Sequence, residues 1–169
     1  MSASHSAVIS TIGRGFDGLD VSALAQDLGA EFIRLEDFDA TVAAVLAEAP
    51  AAENIVAQGT GDIAFDAEVA AALGLPLAII SGAPQRTGEL AQQNAESLGA
   101  TVAGIFTDLE AVPGALASLG DVTPVMSADL FQKQLIDQAR AAGAHIVLPE
   151  GDDDRILVGM HVLLRDKVA

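Results

Sequence analysis

Three glycines near the N-terminus are spaced as in loops that hold phosphate groups. Gly13, Gly15 and Gly18 spell G-x-G-x-x-G directly after a predicted strand, Ala7–Ile12, and an acidic residue follows the next predicted strand. In dinucleotide-binding domains such glycines let the backbone approach a pyrophosphate at a helix N-terminus. The spacing therefore offers one hypothesis, a dinucleotide-binding enzyme that uses nicotinamide or flavin.

The residues around these glycines argue against that chemistry. The fingerprint needs its third glycine inside the helix, whereas Asp20 is placed to cap a helix that starts only after Gly18, and Asp17 adds further negative charge. A P-loop would need Gly-Lys-Ser/Thr where this chain has Gly18-Leu19-Asp20, and no lysine precedes Lys133. We interpret the loop as a vestigial phosphate loop that keeps the scaffold without the nucleotide chemistry.

Arg86 is a candidate anion contact. It follows the predicted strand Leu77–Ile80 and precedes a predicted helix, and ligands of open α/β sheets bind at such positions. The alternative interpretation is a loop arginine that pairs with the acidic surface of the protein.

An acidic turn lies near the C-terminus. Residues 149–155 read Pro-Glu-Gly-Asp-Asp-Asp-Arg, after the predicted strand His145–Leu148 and before a predicted helix that extends to about Leu164. Adjacent aspartates rarely point at one centre, so we predict no metal site and expect the acids to cap the helix. Glu150 and Arg155 are expected to pair across the turn.

The predicted elements alternate between helix and strand. Helices are predicted at Val21–Leu28, Ala40–Glu48, Asp66–Leu73, Thr87–Leu98 and Ala128–Ala142. Strands are predicted at Ala7–Ile12, Phe32–Leu35, Asn54–Ala57, Leu77–Ile80 and Val102–Phe106. Short apolar strands that follow helices through glycine predict an α/β fold, a mainly parallel sheet flanked by helices in a P-loop or Rossmann-like three-layer arrangement.

The chain is predicted to hold one α/β domain and the start of a second. Turn residues at 119–126 coincide with a change in charge, so we place the boundary near Val125, with domains at 1–125 and 126–169. The second domain would be incomplete. Its first helix has a predicted apolar face formed by Leu130, Phe131, Leu135, Ile136 and Ala139.

Composition excludes several classes of function. Residues 1–126 carry three basic and seventeen acidic side chains, a net charge of −14, whereas residues 127–169 carry five basic and seven acidic, a net charge of −2. Such an acidic surface disfavours nucleic acid and anionic membranes as partners. The chain has no cysteine, no signal peptide and no apolar run of about eighteen residues, so we expect a cytoplasmic protein.

The C-terminal segment resembles the start of the phosphate acetyltransferase (phosphotransacetylase) catalytic domain, where a helix, a short apolar strand and a Pro-Glu-Gly-acid-acid-x-Arg turn follow in this order. Residues 7–108 more loosely resemble the dethiobiotin-synthetase-like domain that precedes it in long members of the family, including the strand Val102–Phe106 after Leu98-Gly99. The resemblance implies that the chain is the N-terminal part of such an enzyme, truncated soon after its catalytic domain begins.

The resemblance also implies an activity for the parent enzyme. Members transfer acetyl between acetyl-CoA and inorganic phosphate, which gives acetyl phosphate and CoA in acetate metabolism, with no cofactor beyond coenzyme A as a substrate. Their catalytic residues lie downstream of the turn, so we expect no catalytic residue in this chain and an inactive isolated chain. A structural or cleft-lining role is carried over to Pro149, Glu150, Gly151, Asp152 and Arg155.

Two expectations concern partners. An incomplete second domain would expose apolar side chains, so we expect it to dock or swap and the protein to form homo-oligomers. The alternative to an enzyme fragment is a non-catalytic module that binds a small anion or organises oligomers.

Overall fold

The computed structural model describes residues 5–143, 153–165 and 167. These form two compact units, Met1–Ser127 and Ala128–Ala169. The predicted strand at 145–148 and the predicted turn residues 149–152 lie outside the described residues.

The first unit alternates strands and helices along the chain. Its strands are β1 (Ala7–Ile12), β2 (Glu31–Arg34), β3 (Ile55–Gln58), β4 (Leu77–Ser81) and β5 (Val102–Phe106). Its helices are α1 (Val21–Leu28), α2 (Val42–Glu48), α3 (Ile63–Leu73), α4 (Gln85–Ser97) and α5 (Val112–Leu119), with a 3-10 turn at Leu35–Asp37.

The five strands form one parallel sheet in the order β2-β3-β1-β4-β5. Both faces are apolar because helices cover both, as is usual for parallel sheets. On one face, side chains such as Val8 and Ile79 pack with α2, α3 and α4, and on the other, side chains such as Ile9 and Ile80 pack with α1 and α5. The predicted three-layer α/β fold is confirmed.

The predicted helix-to-strand junctions are confirmed where glycine follows a helix. Gly29 ends α1 with φ 65° and Gly74 ends α3 with φ 69°, and both donate their amides to carbonyls of the preceding turn. Glycine adopts this left-handed conformation without the steric cost that a Cβ atom brings. These short junctions bring the chain back into the sheet.

Most predicted bounds agree with the structure to within two residues, and two helices differ more. The sequence interpretation did not include α5, whose N-terminus lacks a side-chain cap. Helix α3 begins at Ile63 and is capped by Asp62, not at Asp66 as predicted. Asp66 is fully buried in the first turn, and its carboxylate accepts hydrogen bonds from residues outside the helix.

The connecting segment, residues 120–127, ends the first unit and has no helix or strand. The Val125 amide donates to the Ala71 carbonyl oxygen at 2.8 Å, which satisfies a carbonyl in the last turn of α3. The Pro124 ring packs so closely on Gly74 that a Cβ atom there would lie 2.6 Å from it. The segment therefore packs on the C-terminal end of α3.

The second unit contains α6 (Ala128–Ala142) and α7 (Asp154–Arg165). The bounds of α6 match the prediction, but its predicted apolar face is only partly buried, because Leu130 is buried whereas Phe131 is 54% exposed and Leu135 is 50% exposed. In α7 no residue is buried, and Leu164 is 59% exposed. Among the described residues, no helix is long and apolar enough to cross a bilayer.

Candidate functional site

The glycine-rich loop connects β1 to α1 and lies at the carboxyl edge of the sheet. Helix α1 begins at Val21, so Gly18 precedes it, and the Asp20 carboxylate accepts a hydrogen bond from the Ala23 amide at 2.9 Å. This hydrogen bond and that from Ser22 lower the pKa of Asp20. A carboxylate thus lies where a dinucleotide fold places the pyrophosphate.

Arg14 bonds to the backbone around this loop. Its guanidinium donates to the carbonyl oxygens of Gly15 at 3.3 Å, Asp17 at 3.0 Å and Thr107 at 3.4 Å. Two of these acceptors belong to the loop and the third follows β5. Arg14 therefore stabilises the fold of the loop and links it to the end of β5.

The carboxyl ends of β1 and β4 are the usual place for a ligand crevice, because the segments that follow them leave toward opposite faces of the sheet. Here those segments touch. A Cβ atom on Gly13 would lie 2.6 Å from Cβ of Ala83, and one on Gly82 would lie 3.0 Å from Cβ of Arg14. Contact this close leaves no room for even a methyl group between Gly13 and Ala83.

A shallow depression of about 430 Å³ begins beside Gly18. Leucines and a proline line part of it, and four acidic side chains line the rest, Asp20, Asp27, Asp108 and Glu110. Within the described part of the chain, no basic side chain lines it. Its negative potential disfavours phosphates and other anions.

Arg86 lies in the first turn of α4, where its side chain is exposed. It makes no ion pair or hydrogen bond to any residue that the structure describes. Whether Arg86 contacts an anion or pairs with the acidic surface stays a prediction. The α4 N-terminus also lacks a side-chain cap, since its N-cap is Pro84.

The acidic turn before α7 is described from Asp153 onward. The Asp153 carboxylate accepts from the Arg155 amide at 2.9 Å and, in bidentate fashion, from its guanidinium at 3.1 and 2.6 Å. The guanidinium is the main cause that lowers the pKa of Asp153. Asp153 therefore caps α7, as the capping interpretation expected, and it is the described acid with which Arg155 pairs.

Asp66 is a buried carboxylate that the sequence interpretation missed. Ser10 Oγ donates to its Oδ2 at 2.5 Å, the Thr60 amide and hydroxyl both donate to its Oδ1 at 2.9 Å, and the Gly61 amide donates to Oδ2 at 3.3 Å. Burial raises the pKa of Asp66, and these hydrogen bonds oppose the shift. The sequence signal was a charged residue one turn before the buried Val69 and Ala70, in phase with the apolar face.

The turn at residues 59–62 follows β3, and its four amides are all satisfied within the protein. The Gly59 amide donates to Ile9 O at 2.8 Å, those of Thr60 and Gly61 donate to Asp66, and that of Asp62 donates to Thr60 Oγ1 at 3.1 Å. This turn therefore offers no free backbone donors to an anion. Its conformation depends on the Asp66 carboxylate.

Gly13, Gly15 and Gly18 share the loop after β1, and Arg86 lies three residues after Ala83, which contacts Gly13. Arg155 belongs to the second unit. Within residues 5–143, 153–165 and 167, no group of three metal-ligating side chains could hold an ion.

Comparison with known proteins gives one short match. A segment of 39 residues, 23% of this chain, is 64% identical to the phosphate acetyltransferase of Corynebacterium glutamicum and covers 12% of that protein. No family model matches the chain. No solved structure matches it.

Proposed function

We propose that this chain is the N-terminal part of a phosphate acetyltransferase. In this proposal residues 1–125 form an accessory α/β domain and residues 126–169 begin the acetyltransferase domain. The parent enzyme would transfer acetyl between acetyl-CoA and inorganic phosphate, in the cytoplasm and as a homo-oligomer. The observation that carries the proposal is the 64% identity over 39 residues with an enzyme of that name.

We infer that the matched residues lie in the second unit. A match of 39 residues is close to the length of the 128–169 unit, and that unit contains the Pro-Glu-Gly-acid-acid-x-Arg turn that carries the resemblance. Such a match leaves most of the relative's length without a counterpart here. The arginines, hydroxyl and carboxylate base that this reaction needs would belong to that remainder.

The proposal gives this chain a structural role. Asp153 uses its carboxylate to cap α7 and to hold the Arg155 guanidinium, contacts that favour a structural role for both residues. Together with Pro149, Glu150, Gly151 and Asp152, Arg155 would line the cleft or shape its border. The isolated chain is expected to form no acetyl phosphate from acetyl-CoA and phosphate.

A second candidate function is a non-catalytic module that binds a small anion. Arg86 favours it, because this exposed guanidinium at the α4 N-terminus has no partner among the described residues. Titration of phosphate into the protein and into an Arg86→Ala variant would test it. Equal binding by both proteins would exclude Arg86 as the contact.

A chimera tests the main proposal. The segment of the C. glutamicum enzyme that corresponds to residues 128–165 is replaced by those residues of this chain, and acetyl phosphate formation is measured. We expect the chimera to retain activity within about tenfold of the parent, since the two segments would fill one place in the domain.

Two controls make the result decisive. A chimera that carries residues 7–44 in the same place should be inactive, because β1, α1 and β2 belong to a different domain. A soluble, folded chimera with residues 128–165 but no activity would count against the proposed origin of the second unit.

A further inference from the structure

Asp66 joins three parts of the first unit through one carboxylate. It lies in the first turn of α3, and its side chain reaches Ser10 on β1 and residues Thr60 and Gly61 in the turn after β3. The residue is 0% exposed. A buried carboxylate needs hydrogen bonds to remain charged, and this one receives four.

All four donors are uncharged, and no described cation pairs with Asp66. Strands β1, β3 and β4 carry no charged residue, and the Asp62 carboxylate instead accepts from the Ala64 and Phe65 amides. The charged side chains of α2, α3 and α4 other than Asp66 are all exposed, namely Glu48, Glu68, Arg86, Glu89 and Glu96. The charge of Asp66 is therefore balanced by hydrogen bonds alone.

Protonation of this carboxyl group would weaken a hydrogen bond that it accepts from the turn. A protonated oxygen becomes a donor and a weak acceptor. The Ser10 hydroxyl can rotate and accept the proton, but the Gly61 amide can only donate. Since its bond to Oδ2 is the longest of the four, at 3.3 Å, the Gly61 amide is the one most easily released.

We propose that Asp66 is a pH-sensitive latch, which holds the turn at residues 59–62 when ionised and releases its Gly61 end when protonated. The turn lies at the carboxyl edge of the sheet beside β1, where a Cβ atom on Gly61 would lie 3.5 Å from Thr11 Oγ1. Open α/β sheets bind ligands at this edge. Acidification would thus change the backbone donors that the edge presents.

Amide hydrogen exchange on the full chain tests the latch. Exchange protection of Gly61 is measured by NMR from about pH 3 to pH 8, together with the carbon-13 shift of the Asp66 carboxyl carbon. We expect protection of Gly61 to fall about fivefold to tenfold with the midpoint of the carboxyl shift, as the loss of one hydrogen bond implies. Protection of Gly59, whose amide donates to Ile9 O, should not follow that midpoint.

Two variants complete the test. Asp66→Asn, which is neutral at every pH, should show the low protection of Gly61 throughout, whereas Glu68→Gln, which removes an exposed acid on the same helix, should behave as the wild type. Protection of Gly61 that stays constant while the Asp66 carboxyl titrates would overturn the proposal. That comparison uses the wild-type chain, so it decides even if the asparagine variant does not fold.

Discussion

A methyl group at Gly59 should displace the buried Asp66 carboxylate. In a Gly59→Ala variant the added Cβ atom would lie 2.3 Å from Oδ2 and 2.7 Å from Cγ of Asp66, and 2.9 Å from the Ile9 carbonyl oxygen. Restoring an ordinary separation of about 3.5 Å needs a shift of more than about 1 Å. The Ser10 and Thr60 hydrogen bonds, at 2.5 to 2.9 Å, would not survive such a shift.

The expected loss follows from those contacts. Three or four hydrogen bonds at about 1 kcal/mol each give a loss of about 3 to 4 kcal/mol in the free energy of unfolding. That is a large part of the stability of a typical domain, about 5 to 15 kcal/mol. Urea denaturation followed by far-ultraviolet circular dichroism measures it.

Two further variants test whether the loss of stability comes from displacement of the Asp66 carboxylate or from the change of glycine to alanine itself. Gly114→Ala adds a methyl group to α5 with no atom within 4 Å, so it should change stability by less than about 1 kcal/mol, in the favourable direction. In an Asp66→Ala background the Gly59→Ala change should cost much less, since the two nearest atoms to the added methyl group, Oδ2 and Cγ of Asp66, are then absent. An equal cost in both backgrounds would refute the reasoning that the carboxylate is the group displaced.

Three other predictions concern single residues. Burial raises the pKa of Asp66, so the folded state binds the proton on this carboxyl group more tightly than the unfolded state does. The stabilisation that results is fully present below the unfolded pKa of about 3.9 and is lost as pH rises through the folded pKa. Asp66→Asn should therefore flatten the dependence of thermal stability on pH over that window. Gly74→Ala should cost about 2 to 4 kcal/mol in urea denaturation, since it combines a left-handed φ with the clash on Pro124, whereas Gly29→Ala, with a similar φ and open space, should cost about 1 to 2 kcal/mol. The pKa of Asp153 is lowered, so the stabilisation from its cap on α7 is present above the unfolded pKa and is lost as pH falls through the folded pKa. Amide hydrogen exchange in α7 should become faster over that pH range. Asp153→Asn should keep the cap but remove the pH dependence.

The sequence predicted those elements whose signals are local. Glycine after a helix, as at Gly29 and Gly74, and a polar cap before it, as at Asp20, each act within a few residues, and the corresponding ends of α1 and α3 agree with the structure. Helix α5 was missed because Ala111, its N-cap, makes no side-chain hydrogen bond and so leaves no polar start signal. Pro113 in its first turn and the buried Val112 and Leu116, four residues apart, were the available clues.

Contacts between distant residues were not predictable from the sequence. The position of Asp66 at a helix start suggested capping, and only the approach of Ser10, 56 residues earlier in the chain, shows that it is part of a buried network. The closed contact between Gly13 and Ala83 is of the same kind, since neither residue alone indicates that the two loops touch. Both depend on how the strands are ordered in the sheet.

The packing of the connecting segment determines where the first unit can be cut for expression on its own. A fragment that ends at Gly120 would lose the hydrogen bond from Val125 to Ala71 and the cover that Pro124 gives to Gly74. The Ala71 carbonyl oxygen would keep the Gly74 amide as a donor but lose the Val125 amide. A shortened gene for crystallisation should therefore extend to Ser127, and a protease that cleaves between Gly120 and Ser127 should act slowly until this stretch detaches.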